Sequence, residues 1–332
     1  MTGPGKGVLI VTGGSRGIGA ACAARAARDG WAVGVNYNSS AASALEVASA
    51  IIAAGGRAVV LPGDVGDESA VRRMFDLAEQ HLGPVTGLVN NAGLLHHAGP
   101  FHAVSLARWE QTFATNTTGS FLCAREAVRR MIAAKTPGSI VNLSSMAAPL
   151  GAPGEFVDYA ASKGAVESMT IGLAREVGPL GIRVNAVRPG LIDTDMQAAS
   201  GDPGRAARLV GSVPLGRVGT AAEVAEAVTW LLSDAASYVT GAILPVSGER
   251  LALARPTMTV RSKDLGNTSG SPRTCQTLKG RSSGWRGQTR RTSTPMPLAG
   301  AIIASLAPVS VISRVTFDRG QISAGRIWSN LE

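Results

Sequence analysis

Along residues 1–250 of this chain, short aliphatic and β-branched runs alternate with alanine-rich stretches of helical period, and no other feature restricts the fold as much. The runs predict strands at Gly7–Thr12, Ala32–Tyr37, Ala58–Pro62, Val85–Asn90, Ser139–Leu143, Arg183–Val187 and Ala242–Val246. Helices are expected between them at Gly17–Asp29, Ala41–Ala54, Glu68–His81, Leu106–Ala134, Tyr159–Val177 and Ala221–Leu232. Several runs are apolar almost throughout, as required when helices cover both faces of a parallel sheet. The expectation is a doubly wound α/β domain of three layers, αβα, with a seven-stranded mainly parallel sheet and a ligand crevice at the carboxyl ends of the strands.

Directly after the first run comes Thr12-Gly13-Gly14-Ser15-Arg16-Gly17-Ile18-Gly19, which opens an alanine-rich helix. Glycines there let the turn take positive φ and let backbone N–H groups approach a pyrophosphate, while the helix directs its positive end at the same group. The context, strand then glycine turn then helix, marks a dinucleotide site. An NAD-selecting site places Asp or Glu at the end of the second strand to accept from the adenosine ribose hydroxyls. Here the chain reads Val35-Asn36-Tyr37-Asn38-Ser39-Ser40, so Asn38 and Ser39 stand on the ribose side and no carboxylate repels a 2′-phosphate. Arg16 supplies a cation on that side, and a guanidinium grips phosphate oxygens in pairs. NADP is therefore expected over NAD.

Tyr159 and Lys163 lie four residues apart, hence one turn apart on one helix face. A free phenol titrates near pH ~10, so a fixed ammonium beside it is expected to favour the phenolate, while the protonated form can deliver a proton to a carbonyl oxygen. Upstream, the strand Ser139–Leu143 runs into Ser144-Ser145, which puts a hydroxyl at the carboxyl end of a strand, where it can hold a substrate oxygen.

These residues resemble the short-chain dehydrogenase/reductase family in its Rossmann-fold form, over about Lys6 to Gly248, near the bacterial 3-oxoacyl-carrier-protein reductases and the sugar or polyol dehydrogenases. The resemblance rests on Thr12 to Gly19, Asp64-Val65, Asn90-Asn91-Ala92-Gly93, Asn116, Ser145 with Tyr159 and Lys163, and Pro189-Gly190 followed by Thr194. It implies that Tyr159 is the general acid and base and that Ser145 positions the substrate oxygen. Lys163 would hold the nicotinamide ribose and lower the tyrosine pKa, with Asn116 anchoring a water that links it to solvent. Asp64 and Val65 would flank the adenine. Asn90, Ala92 and Gly93 would shape the cofactor floor, and Pro189, Gly190, Ile192 and Thr194 would meet the nicotinamide carboxamide. The resemblance also implies a small carbonyl or alcohol substrate and a homotetramer or homodimer. Two departures stand out: Ser145 and Tyr159 are 14 apart where many relatives have 13, so Ser144 competes for the role of Ser145, and the last strand ends Pro245-Val246-Ser247-Gly248-Glu249 where relatives often carry Asp and then Gly-Gly. With an intact Ser145, Tyr159 and Lys163, the alternative of a regulatory or scaffold protein that binds NADP without turnover is disfavoured.

The net charge of +9 misleads as to partners. Residues 1–250 hold 20 Lys and Arg against 20 Asp and Glu, whereas residues 251–332 hold 12 against 3, so the whole excess lies in the tail. The main domain is not expected to bind nucleic acid or anionic lipid. Beyond Arg250, Ser, Thr, Arg, Gly and Pro crowd the chain, and residues 251–332 read as a basic, low-complexity, disordered segment, either a genuine appendage or the product of a shifted or extended reading frame. Cys22, Cys123 and Cys275 are widely separated and offer neither a disulfide framework nor a thiolate metal site. His96, His97 and His102, on the expected crevice rim, lack the further ligands of a metal site. With no apolar run approaching ~18 residues in the main domain and no signal-peptide pattern at Met1–Val11, a cytoplasmic, reducing location is expected.

Overall fold

The structure, a computed structural model, describes residues 6–198, 200–202 and 204–248. The basic segment expected over residues 251–332 lies outside the described residues. Strand β1 (Val8–Val11) leads through the glycine turn into α1 (Gly17–Arg28), followed by β2 (Ala32–Tyr37), α2 (Ala41–Ala53), β3 (Arg57–Pro62), α3 (Glu68–Leu82) and β4 (Val85–Asn90). Then come α4 (Leu106–Phe113), α5 (Gly119–Ala134), β5 (Gly138–Leu143), a single turn α6 (Ala147–Leu150), α7 (Val157–Val177) and β6 (Ile182–Pro189). The chain closes with β7 (Ile192–Asp193), α8 (Asp195–Ala198), α9 (Arg205–Val210), β8 (Gly219–Thr220), α10 (Ala221–Leu232) and β9 (Ile243–Val246).

Seven of these strands form one sheet in the order β3-β2-β1-β4-β5-β6-β9, with every pairing parallel. The strand order reverses between β1 and β4, which places the crevice of a doubly wound sheet beside the glycine turn. The short β7 and β8 pair with each other away from the sheet.

The period of two in β1 explains the layering. Val8 and Ile10 join Met74 and Phe75 of α3 and Met131 of α5 on one face, whereas Leu9 and Val11 join Cys22 and Ala26 of α1 and Val228 and Leu231 of α10 on the other. Burying a large side chain such as Phe75 completely is worth about 1.5–3 kcal/mol. Cys22 and Cys123 belong to these two cores, and burial pushes both thiols up to about 12, so they pack as small apolar groups.

Two helices depart from expectation. The stretch Leu106–Ala134 is not one helix, because a π-helical segment, Ala114–Thr118, separates α4 from α5. The residue inserted into this turn carries Asn116 inward, where its amide finds three partners. Helix α7 begins at Val157, two residues before Tyr159, which leaves Asp158 in its first turn. The buried Asp158 carboxylate pairs with Arg108 of α4 through contacts of 2.8 and 3.0 Å. Arg108 and the helix N-terminus hold this carboxyl below its ordinary range against the upward push of burial.

Candidate active site

The glycine turn is built by its neighbours. The Asn36 side chain accepts from Gly13 N at 3.1 Å, and its backbone oxygen accepts from Gly14 N at 2.8 Å, which fastens the turn to β2. From the other side, Asn91 Nδ2 donates to Thr12 O at 2.9 Å and Gly13 O at 3.0 Å, while Thr12 Oγ1 accepts from Asn91 N and Ala92 N. Gly17 has φ +54°, open to glycine at little cost. At Gly19 an added Cβ would lie 2.2 Å from Gly13 O, so a side chain there would fill the cradle. Helix α1 has no side-chain cap and no acidic residue in its first turn, which leaves its positive end available to an anion. These observations fit a dinucleotide pyrophosphate. Arg16 is exposed at the N-cap, Ser15 is half-buried, and Asn38 and Ser39 are exposed just beyond β2.

A cavity of about 300 Å³ opens beside this turn. Ile18 and Gly93 stand on its wall with Pro189, Gly190, Ile192 and Thr194; Ser145, Tyr159 and Lys163 line it too. Residues far apart in sequence thus meet because their strands end at one edge of the sheet.

The structure separates the two adjacent serines. Ser144 is buried and donates to Glu167 Oε1 at 2.6 Å, whereas Ser145 is half-exposed and accepts from Ala147 N at 3.0 Å. Burial pushes the Tyr159 phenol above its ordinary range, opposed by the Ser145 hydroxyl and then by the charge of Arg205. The net direction is upward, opposite to the lowering expected from Lys163. The physical reason is local: the Lys163 ammonium donates to Leu143 O at 2.7 Å and stands 5.7 Å from the centroid of the Tyr159 ring. Lys163 is itself buried, and burial lowers its pKa to about 8.

Asn116 occupies the π-helical segment, where Oδ1 accepts from Leu94 N at 2.7 Å and Nδ2 donates to Leu94 O and Ser162 Oγ at 3.0 Å each. It thereby ties the segment after β4 to α7. Gly93 lies between: a Cβ there would be 3.6 Å from both Asn116 Oδ1 and Lys163 Nζ.

Other predicted residues turn away from the cavity. The Asn90 side chain points into the core, donating to Ser120 O and Asn142 Oδ1. Asp64 is exposed and accepts from Gly66 N at 2.8 Å, while Val65 is buried against Gly119. Only their backbone, or the exposed Asp64 side chain, is left for an adenine ring.

Sequence reasoning missed the bonds that Asn36 and Asn91 make to the turn, although Asn91 belongs to the Asn90-Asn91-Ala92-Gly93 motif. It also missed the ion pair between Glu155 and Arg205 on the cavity wall. Arg205 Nη2 lies 3.0 Å from Glu155 Oε2, with its guanidinium 5.2 Å from the Phe156 ring centroid. Among the described residues no His, Cys, Asp or Glu cluster could hold a metal ion, and no helix is long and apolar enough to cross a membrane.

A family model described as enoyl-(acyl carrier protein) reductase matches residues 13–248. The chain is 51% identical over 244 residues to an uncharacterized oxidoreductase, YgfF, of Escherichia coli K12, covering 73% of this chain and 98% of that protein. It is 42% identical over 241 residues to 3beta-hydroxysteroid dehydrogenase 1 of Eggerthella lenta, covering 72% and 92%. Among solved structures, a Serratia marcescens short-chain dehydrogenase/reductase carrying two substitutions superposes with a TM-score of 0.69 at 36% identity, covering 74% of this chain and 98% of that one.

Proposed function

The chain belongs to the short-chain dehydrogenase/reductase family of oxidoreductases, and on that premise we propose that it interconverts a small carbonyl compound and its secondary alcohol with NADP(H), Tyr159 being the general acid and base. The observation that carries this reading is the meeting of Ser145, Tyr159 and Lys163 on one cavity wall with Ile18 of the glycine turn. The nicotinamide, when bound, supplies or takes the hydride.

The residues of the chain do the rest. Backbone N–H groups of Gly17 to Gly19, together with Ser15, hold the pyrophosphate, and Gly13, tied by its own N–H to Asn36, shapes the turn behind them. Asn38 and Ser39 face the adenosine ribose, and Asp64 and the Val65 backbone border the adenine. Ala92 and Gly93 form the floor, with Asn90 supporting it from beneath. Pro189, Gly190, Ile192 and Thr194 border the carboxamide. Lys163 binds the nicotinamide ribose. Ser145 donates to the substrate oxygen, so that as charge develops there the Tyr159 hydroxyl can deliver its proton. In the oxidative direction the same phenol takes the proton back. Asn116 sets the distance between the Gly93 segment and α7, and its position beside Lys163 suits a water path from the ammonium to solvent. A panel of carbonyl compounds followed by NADPH absorbance tests the reading, and turnover lowered by about 10²–10⁴-fold in Tyr159→Phe is the expected result.

NADP over NAD rests on Arg16 and on the absence of a carboxylate among Asn36 to Ser40. Arg16→Ala is expected to weaken NADPH binding by about 10-fold, the scale of one lost charge-assisted hydrogen bond, and to change NADH binding by less than about 2-fold. Fluorescence titration of both nucleotides checks this, and equal losses would remove the assignment.

A further inference from the structure

Beyond the catalytic and nucleotide groups, the cavity wall is apolar except for the paired Glu155 and Arg205. Leu95, Met146, Leu150, Phe156, Met196 and Leu209 reach it from five different segments. The polar side chains that share the wall are already engaged within the protein. Asn91 donates to Thr12 O and Gly13 O, and Ser144 donates to Glu167. Glu155 is held on one oxygen by Arg205 at 3.0 Å and on the other by Arg208 at 3.2 Å. The charges the wall carries outside the nucleotide half therefore balance each other.

Building on the oxidoreductase reading above, we propose that the substrate is a neutral, predominantly apolar ketone or secondary alcohol, and that Leu209 helps to select it against polyhydroxy compounds. An apolar ring or chain gains from every wall contact and leaves the Glu155–Arg205 pair intact. A sugar or cyclitol brings several hydroxyls that lose water on entry, and the wall offers them groups bound elsewhere. Each hydroxyl left without a partner costs about 10-fold in the specificity constant. Leu209 suits a test because it is half-buried on the short helix α9, so the sheet core does not depend on it.

The experiment compares a ring matched in framework and opposed in polarity. The full chain with NADP+ is given cyclohexanol and myo-inositol, and with NADPH it is given cyclohexanone, 2-heptanone and glucose. The expected result is a kcat/KM for cyclohexanol at least about 100-fold above that for myo-inositol. Leu209→Asn should narrow this ratio by about 10-fold while NADPH affinity stays within about 2-fold. Turnover of the inositol or the sugar at equal or higher efficiency, or a ratio that Leu209→Asn leaves unchanged, would overturn the apolar assignment while the Tyr159 chemistry stands. Turnover of neither class would overturn the assignment and the oxidoreductase reading together.

Discussion

Tyr159→Phe should lower kcat by about 10²–10⁴-fold, the range that a positioned general acid or base contributes, with NADPH affinity within about 2-fold of the parent. The substitution removes one oxygen from a ring that is only half-buried on the cavity wall, so packing changes little. What disappears is the hydroxyl beside Ser145, the group placed to pass a proton to or from the substrate oxygen. Rapid mixing of NADPH, ketone and enzyme separates the outcomes: a single turnover slowed by this factor supports the assignment. Appreciable residual turnover would give the proton to another donor.

Lys163→Met should abolish turnover and stabilise the protein at the same time. Lys163 is 3% exposed, and burial lowers its pKa from 10.5 to about 8. At ~1.4 kcal/mol per pKa unit, keeping it charged costs the folded state about 3 kcal/mol, less about 1 kcal/mol recovered from the bond to Leu143 O. The sign follows from proton counting. Below a pH of about 8 folded and unfolded chains both carry the proton, and the full cost is present. Between about 8 and 10.5 only the unfolded chain holds it, so the stability of the parent rises with pH and the advantage of the variant shrinks. Near neutral pH the variant should melt about 4–8 °C higher, from ~2 kcal/mol in a domain of this size. A buried ammonium kept at such a cost is the signature of a group retained for chemistry rather than for folding. A lower melting temperature near neutral pH, or preserved turnover, would contradict this.

The strands were legible because helices cover both faces of the sheet. Ala32–Tyr37 and Val85–Asn90 read directly as apolar runs and appear with the predicted bounds. The alternation of Val8 and Ile10 with Leu9 and Val11 then assigns their sides. The break in Leu106–Ala134 was not legible, since one inserted residue leaves the local helical pattern intact and only the partners of Asn116, 22 and 46 residues away, reveal it. The same limit hid the Glu155–Arg205 pair, whose members are 50 residues apart and belong to segments with no periodic signal. The expected downward shift of Tyr159 failed for a different reason. Spacing places an ammonium one turn away but says nothing of the carbonyl at Leu143 that orients it, nor of the burial that opposes phenolate formation.

The proposed function requires the phenol of Tyr159 and the ammonium of Lys163 to face a nicotinamide ring held by the glycine turn. A crystal structure of the protein with NADP+ measures this directly. The prediction is pyrophosphate oxygens on the backbone N–H groups at the start of α1, Lys163 on the nicotinamide ribose, and the Tyr159 hydroxyl beside the ring. A dinucleotide seated elsewhere, or Tyr159 and Lys163 directed away from it, would contradict the account.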